Sequence, residues 1–295
     1  MSPAERHAAI FLNEGAGTAR SEGVRRAVDA TRSALDADLH VTATRDAAEL
    51  EAWMRERIDG YSTAIVAGGD GSLGVAYNVA AGRDGLTLGY IPGGFGNAAA
   101  HLLRLPPQPE ELARVLASHD SRPIDLVAVD GRLALFAGAG WDAIVAGRYA
   151  AAGAHRLRGW AAAVTRSLPD LWHRPQVEVR ADGWRVHRGP MELLVVSTTP
   201  FYGRGLKVNP GARPDAGRLA LRVYPGPAPR LAVEMARWVL RAPPQAEVVL
   251  TSSVELRSND QRAITVQADG DVLGARDTWR FEIRPAAVRL IGRWS

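Results

Sequence analysis

The chain has 295 residues, of which 46% are hydrophobic and 23% charged, proportions typical of a globular protein with one large or two ordinary domains. It contains no cysteine, which excludes disulfides, thiolate metal sites and cysteine nucleophiles. The formal net charge is +4, and Lys207 is the only lysine. P-loop NTPases and protein kinases need a lysine within a phosphate-binding motif or on a particular strand, so the sequence excludes both classes.

Apolar runs alternate with amphipathic segments in the first part of the chain. This alternation is typical of a parallel sheet with helices on both faces. The sequence predicts strands at residues 7–12, 39–42, 63–67 and 87–91, and helices at residues 18–35, 46–58, 72–81, 97–105 and 110–118.

Strand-like runs dominate from residue 124 onward. Strands are predicted at residues 124–129, 133–137, 176–179, 192–197, 219–224, 247–250, 253–256, 264–268 and 279–283. The segments 141–172 and 231–240 are helical in composition. We therefore expect an α/β N-terminal domain over residues 1–122, with a parallel sheet and helices on both faces, and a β-rich, sandwich-like C-terminal domain over residues 123–295. The last strand can return to the first domain.

Glycine-rich loops follow three predicted strands of the first domain. In chain order they are Asn13-Glu14-Gly15-Ala16-Gly17, Gly68-Gly69-Asp70-Gly71-Ser72 and Pro92-Gly93-Gly94-Phe95-Gly96-Asn97. Glycines at a strand end let backbone N–H groups approach a phosphate, and a following helix adds the donors of its first turn. A single loop of this kind can also be an ordinary turn, because short glycine motifs are weak evidence alone.

Together the loops resemble the marks of the diacylglycerol kinase, sphingosine kinase and bacterial lipid kinase family, which has an NAD kinase-like fold. Those marks are an Asn-Pro-x-x-Gly loop, Gly-Gly-Asp-Gly-Thr and Ile-Pro-x-Gly-Thr-x-Asn. Residues 200–212 are similar to the family's Tyr-Gly-Gly-Gly and Pro-x-Ala segment, and residues 267–271 to its late Asp-Gly-Glu. The departures from the family pattern are Glu14 for proline, Ser72 for threonine, Phe95 for a hydroxyl residue, Ala216 for a metal-associated aspartate and Asp271 for glutamate.

The resemblance implies an ATP-dependent lipid kinase that uses Mg²⁺. The residues that it assigns to nucleotide and phosphate binding are Asn13, Gly17, Thr42, Gly68, Gly69, Asp70, Gly71, Ser72, Gly94, Gly96 and Asn97. Asp70 is expected to organise the metal ion and is counted as catalytic. Asp271 occupies the family's catalytic glutamate position and is the expected general base. Asp215, beside Ala216, is a candidate ligand of a second Mg²⁺.

Several of these residues also have structural interpretations. Asn13 can cap the next helix, and Thr42 can be an ordinary strand residue. Asp271 closes an Asp-Gly-Asp sequence that fits a hairpin turn between strands, and Asp215 lies in a sequence that fits a turn equally well. Asn97 is expected to cap the helix that follows it.

The predicted helical segment 141–172 combines tryptophans with arginines. Its basic and tryptophan residues are Trp141, Arg148, Arg156, Arg158, Trp160, Arg166 and Trp172, followed by His173 and Arg174. Such a segment can dock on an anionic membrane or present a solvated arginine face over buried tryptophans. The segment 231–240, with Arg237 and Trp238, is a second candidate for such docking, but here packing in the core is the favoured interpretation.

The sequence has no long uncharged apolar run and no secretory h-region near its start, so we expect a cytoplasmic protein with transient, peripheral membrane association. A lipid substrate is the expected partner. No nucleic acid is expected, because no zinc-finger spacing or RNA-binding aromatic motif accompanies the basic residues. The sequence leaves a homodimer open.

Three functions remain after this reading. The first is a lipid kinase whose acceptor is diacylglycerol or a sphingoid or ceramide-like alcohol. The second is a catalytically impaired relative that binds nucleotide or lipid, because of Ala216 and Asp271. The third is nicotinamide dinucleotide binding, since Gly94-x-Gly96-x-x-Ala99 matches the Rossmann pattern, although that pattern belongs in a first βα unit.

Overall fold

The computed structural model describes residues 7–152, 157–172 and 174–294, which form two compact units. The first unit holds residues 7–124 and 286–294, and the second holds residues 125–285. Arg156 and His173 of the tryptophan- and arginine-containing segment lie outside the described residues.

The first unit is a parallel α/β domain. Its elements are β1 (Ala8–Asn13), α1 (Glu22–Leu35), β2 (Asp38–Thr42), α2 (Ala47–Arg55), β3 (Thr63–Gly68), α3 (Asp70–Ala80), β4 (Thr87–Pro92), α4 (Ala98–Leu102) and α5 (Pro109–Ala117). The strand order is β2-β1-β3-β4, and the end of the last strand of the chain, β18 (Thr278–Ile291), pairs in parallel with β4. Every residue of β1 and β3 is buried, as expected for central strands covered on both faces.

The second unit consists mainly of antiparallel strands. Its elements are β5 (Ser121–Val129, which begins in the first unit), β6 (Arg132–Ala134), β7 (Phe136–Gly140), α6 (Trp141–Ala151), α7 (Leu157–Ser167), β8 (Gln176–Ala181), β9 (Trp184–Pro190), β10 (Leu193–Ser197), β11 (Phe201–Tyr202), β12 (Leu206–Lys207), β13 (Leu219–Tyr224), α8 (Ala228–Val239), β14 (Val249–Thr251), β15 (Ser253–Ser258), β16 (Ile264–Ala268) and β17 (Asp271–Arg276), with 3₁₀ turns at Leu168–Trp172 and Gly203–Gly205.

Two sheets of the second unit enclose one apolar core. The first has the order β14-β13-β10-β7-β16-β17, and the second joins β15 to β18 and to β8, which pairs with β9. Val196 and Val266 from the first sheet and Val179 and Phe281 from the second belong to the same buried cluster. The predicted α/β domain followed by a β-rich, sandwich-like domain is therefore confirmed.

Some elements differ from the sequence prediction, and the differences have local reasons. The predicted strand 133–137 is two strands that meet at Leu135. Strand β9 escaped prediction because most of its residues are exposed and none is buried. The helix predicted from residue 18 begins at Glu22, since the side chain of Ser21 accepts the N–H of Val24 and caps the helix there.

Candidate functional site: a glycine loop cluster and a hairpin carboxylate

The three glycine loops of the first unit meet at one edge of its sheet. They leave the carboxyl ends of β1, β3 and β4, and β3 is paired in parallel with both of the other strands. The N–H of Gly93 donates to the carbonyl of Gly68 at 2.6 Å, and the N–H of Thr18 donates to the carbonyl of Gly93 at 2.7 Å. The structure therefore brings together loops that lie far apart in the sequence.

Contact between these loops depends on the absence of side chains. A Cβ atom on Gly94 would lie 2.7 Å from the Cα of Gly69, closer than real Cβ contacts allow. A Cβ atom on Gly17 would lie 3.1 Å from the carbonyl oxygen of Gly93. Larger residues at Gly94 would push the loops apart, so the glycines are needed for the close approach of backbone to backbone.

Helix α3 points its amino end at this cluster. The N-cap is Gly69, and Asp70 is the first residue of the helix, two positions earlier than the sequence predicted. The N–H groups of a first helical turn, here Asp70 to Ser72 and including Gly71, have no carbonyl partner within the helix, and the helix dipole makes this end positive. The loop cluster is consequently suited to bind an anion such as a phosphate group.

Asn13 and Ser72 link the first loop to this helix. The buried Asn13 donates from Nδ2 to the Ser72 hydroxyl at 3.2 Å, and its Oδ1 accepts the N–H of Gly15 at 3.0 Å. Asn13 therefore shapes its own loop and does not cap α1. Thr42 is the register partner of Asn13 in the sheet, and its carbonyl accepts the N–H of Glu14 at 2.8 Å.

Asn97 holds the third loop, which also contains the partly exposed Gly96. Its backbone is left-handed, with φ of 48°, and its side chain makes no capping bond to α4. Instead Oδ1 accepts the N–H of Gly94 at 2.9 Å and the hydroxyl of Tyr90 at 3.0 Å, while Nδ2 donates to the carbonyl of Gly94 at 3.0 Å. Asn97 is thus the N-cap residue of α4, as predicted, but its side chain makes no bond to the helix because the amide is already committed to the loop.

The second unit carries Asp271 at a hairpin. Ala268 pairs with Asp271, so Asp269 and Gly270 form a two-residue turn, with φ of 49° and 94°. Positive φ at both positions is the requirement of the tight hairpin turn, so the turn interpretation of the sequence is confirmed. The carboxylate of Asp271 is partly exposed and lies 3.2 Å from Nη2 of Arg132. Desolvation raises the pKa of Asp271, and the charge of Arg132 lowers it in part.

Two side chains anchor this turn. The carboxylate of Asp269 accepts the N–H groups of Leu135 and Phe136, each at 3.1 Å. The amide of the buried Gln267 accepts the N–H of Gly270 at 2.7 Å through Oε1. The position of Asp271 in the sheet is thus fixed from both residues of the preceding turn.

A buried polar network continues from Gln267. Its Nε2 donates to Oδ2 of Asp142 at 3.1 Å and to the hydroxyl of Tyr202, which itself donates to the same carboxylate oxygen. Burial raises the pKa of Asp142 and holds that of Tyr202 well above its ordinary value. Sequence reasoning missed Asp142, although it is the only charged residue in the apolar stretch 133–147.

Asp215 lies in an exposed turn and pairs with Arg213. The guanidinium donates from Nε and Nη2 to the two carboxylate oxygens, both at 3.1 Å. The same turn is fastened by Asp125, whose carboxylate accepts the N–H of Gly217 at 2.6 Å. A cation bound by Asp215 would have to displace this arginine.

Across residues 7–152, 157–172 and 174–294, no three or more histidine, aspartate or glutamate side chains are grouped so that they could hold a metal ion. Asp70 is the only acidic residue among the predicted phosphate-binding residues. A metal ion at the loop cluster would therefore need most of its ligands from a bound phosphate, which is how Mg²⁺ commonly binds in kinases.

Two family models match this chain, and together they span most of both units. Residues 7–129 match the diacylglycerol kinase catalytic domain, and residues 136–292 match the YegS C-terminal NAD kinase beta sandwich-like domain. The chain belongs to the YegS-like diacylglycerol kinase family.

Named relatives cover nearly the whole chain. A protein of Pseudomonas fluorescens named "Probable lipid kinase YegS-like" is 28% identical over 294 residues, which is 97% of this chain and 95% of the relative. A protein of Pseudomonas aeruginosa with the same name is 28% identical over 276 residues, covering 92% and 90% of the two chains. Both relatives are named as probable lipid kinases.

Solved structures share the fold at lower identity. A diacylglycerol kinase from Bacillus anthracis has a TM-score of 0.75 with 20% identity, covering 98% of both chains. An NAD kinase from Archaeoglobus fulgidus in complex with ATP has a TM-score of 0.55 with 14% identity, covering 98% of this chain and 94% of that one.

The Rossmann-like Gly94 pattern follows β4 of this fold and not a first strand, so it lacks the context of a nicotinamide site.

The segment 141–172 divides into a buried and an exposed part. Trp141 is buried and donates from Nε1 to the carbonyl of Ser167 at 2.7 Å. Arg148 bonds to the Ser167 hydroxyl at 2.7 Å and forms an ion pair with Asp170. Trp172, in contrast, is 74% exposed. No helix in the described parts of the chain is long and apolar enough to cross a bilayer.

Proposed function

We propose that this chain transfers the γ-phosphate of ATP to a lipid hydroxyl, with diacylglycerol or a sphingoid or ceramide-like alcohol as the acceptor. The observation that carries the proposal is the convergence of the three glycine loops on the amino end of α3. An array of backbone N–H groups at a positive helix end fits the phosphates of a nucleotide. Membership of a lipid kinase family supports a lipid as the acceptor.

The proposal gives Asp70 the metal-organising role. Its carboxylate stands in the first turn of α3, beside the N–H groups assigned to the phosphates. Mg²⁺ bound with ATP would neutralise the charge that builds up on the transferred phosphoryl group. Asn13 and Ser72 would then position the nucleotide, because their side chains already connect two of the three loops.

The proposal gives Asp271 the role of general base. The lipid hydroxyl oxygen attacks the γ-phosphorus, the bond between the γ-phosphorus and the bridging oxygen of the β-phosphate breaks, and ADP leaves. The hydroxyl proton passes to the carboxylate of Asp271. A carboxyl whose pKa is raised by desolvation is a better proton acceptor than an ordinary aspartate, provided that it is ionised at the working pH.

The decisive experiment incubates the purified chain with γ-labelled ATP, Mg²⁺ and a total lipid extract, and identifies the labelled product by mass spectrometry. We expect a phosphorylated lipid from the wild type and none from Asp70→Ala, with the same thermal midpoint for both. Asp84→Ala is the matched control, because Asp84 is an exposed aspartate of the same unit outside the loop cluster. Nucleotide binding without any labelled lipid would instead identify the chain as a catalytically impaired relative.

A further inference from the structure

Helix α8 is anchored to the second unit by one face. Leu231 and Trp238 are buried in the apolar cluster that also contains residues of α6 and α7. The buried Glu234 accepts the N–H groups of Gln245 and Ala246 through Oε1, at 2.7 and 3.2 Å. The expectation that the segment 231–240 packs in the core is confirmed for this face.

The opposite face of α8 is apolar as well. Residues three, four and seven positions apart form a second apolar strip, which we call the outer strip: Pro229, Ala232, Val233, Ala236, Val239 and Leu240, all of them exposed. Val239 is 68% exposed and Leu240 77% exposed. The solvent face of a surface helix ordinarily carries polar side chains. The outer strip faces solvent but carries apolar side chains instead.

Arginines run along one border of the outer strip. Arg230 and Arg237 are seven residues apart, which places them on one side of the helix, and Arg241 follows just after the helix ends. Glu234 is the only acidic residue between residues 228 and 241, and it is buried. An apolar strip bordered by cations without an exposed carboxylate on the same helix is the pattern of a helix that lies in a membrane interface.

We propose that the outer strip of α8 docks on an anionic lipid bilayer, with its apolar side chains in the acyl boundary and its arginines at the anionic headgroups. The inference rests on the proposed lipid acceptor, which is held in such a bilayer. A second copy of the chain fits less well. A twelve-residue helix is about 18 Å long and offers a face of a few hundred Å² at most, against roughly 800 Å² per partner in a stable complex.

The test measures vesicle binding in the absence of ATP. Sedimentation with vesicles of phosphatidylcholine alone is compared with vesicles that also contain phosphatidylglycerol, at low and high salt. We expect binding to the anionic vesicles that weakens as salt is added. Replacing both Val239→Ser and Leu240→Ser should weaken it by about tenfold or more, and the pair Arg230→Glu and Arg241→Glu should do the same.

Matched controls separate this surface from others. Val41→Ser removes an exposed valine of the first unit, and Arg257→Glu reverses an exposed arginine of β15; both should bind vesicles as the wild type does. Binding that is equal for charged and uncharged vesicles, or unchanged in the α8 variants, would overturn the proposal. So would loss of binding in Trp172→Ser alone, or a change from dimer to monomer in the α8 variants, since these outcomes indicate the 3₁₀ turn or a second copy.

A kinase assay on a short-chain diacylglycerol in detergent micelles distinguishes a failure of the proposed docking surface from a failure of the proposed reaction. The α8 variants should phosphorylate this substrate at the wild-type rate, because none of their changed residues belongs to the loop cluster or the Asp271 hairpin. Vesicle binding without kinase activity in micelles would support the proposed docking surface and contradict the proposed reaction. Micellar activity without vesicle binding would do the reverse.

Discussion

The loop cluster of the first unit and the Asp271 hairpin of the second are constructed differently. The loop cluster is built from backbone: its loops touch through N–H and carbonyl groups, and Gly94 has no room for a Cβ atom. The hairpin is held by side chains, among them the carboxylate of Asp269 and the amide of Gln267. A backbone site tolerates few residue types at each position, whereas a side-chain network can be replaced piece by piece.

This difference in construction explains how much of each site could be predicted from the sequence. Glycines are conspicuous when they cluster after apolar runs, so the loops were predicted together with Asp70 and Ser72. The buried network that continues from the hairpin was not predicted, because Asp142 meets Gln267 only through the fold, across 125 residues of sequence. The α/β alternation and the β-rich second half followed from hydrophobic periodicity, whereas β9 and the bonds of the Asn97 side chain within its loop depend on contacts that periodicity does not encode.

Among the substitutions that compare the construction of the two sites, the largest effect should come from the hairpin carboxylate. Asp271→Asn removes the proposed proton acceptor and should lower the turnover rate roughly 10²–10⁴-fold with little change in ATP affinity, because a base acts in the transition state. Asp271→Glu restores the family residue and should keep or raise activity. Turnover and thermal midpoint measured for both variants distinguish a loss of catalysis from a loss of stability. An active Asp271→Asn protein would show that this residue is not the general base.

The backbone character of the loop cluster is tested by adding one methyl group. In Gly94→Ala the new Cβ meets the Cα of Gly69, which is backbone and cannot swing away. We expect a loss of about 1–3 kcal/mol in the free energy of unfolding and weaker nucleotide binding, measured by denaturant titration and calorimetry. Gly23→Ala is the control, since a Cβ there meets nothing within 4 Å and alanine favours a helix. Equal stability of the two variants would contradict the close contact.

The side-chain character of the hairpin is tested at Gln267. Gln267→Leu keeps the volume but removes the acceptor for the N–H of Gly270 and the donor to Asp142. The turn should loosen, and misplacing Asp271 by a fraction of an ångström should lower turnover about tenfold to a hundredfold at unchanged ATP affinity. A purely structural role would lower the thermal midpoint and leave the turnover of the folded protein unchanged.

The smallest effect concerns a buried acid that neither site uses. Glu192 is buried, neither of its carboxylate oxygens has a hydrogen-bond partner among the described residues, and Arg174 approaches only to 3.9 Å. Desolvation therefore raises the pKa of Glu192 above its ordinary value of 4.5, with Arg174 opposing. The folded state then binds the proton more tightly than the unfolded state, so the ionised side chain costs stability at every pH above the raised pKa.

Glu192→Gln should accordingly stabilise the protein by about 1 kcal/mol at neutral pH, because the amide has no charge to desolvate. The gain should shrink as pH falls through the raised pKa and vanish below pH 4.5, where the wild-type carboxyl is protonated in both states. Denaturant unfolding of both proteins across this pH range measures it. Glu110→Gln is the control: Glu110 is exposed, and a backbone hydrogen bond together with its partner Arg26 lowers its pKa, so its replacement should give no gain at neutral pH. A pH-independent difference for Glu192→Gln would mean that packing, and not the buried charge, sets the stability at this position.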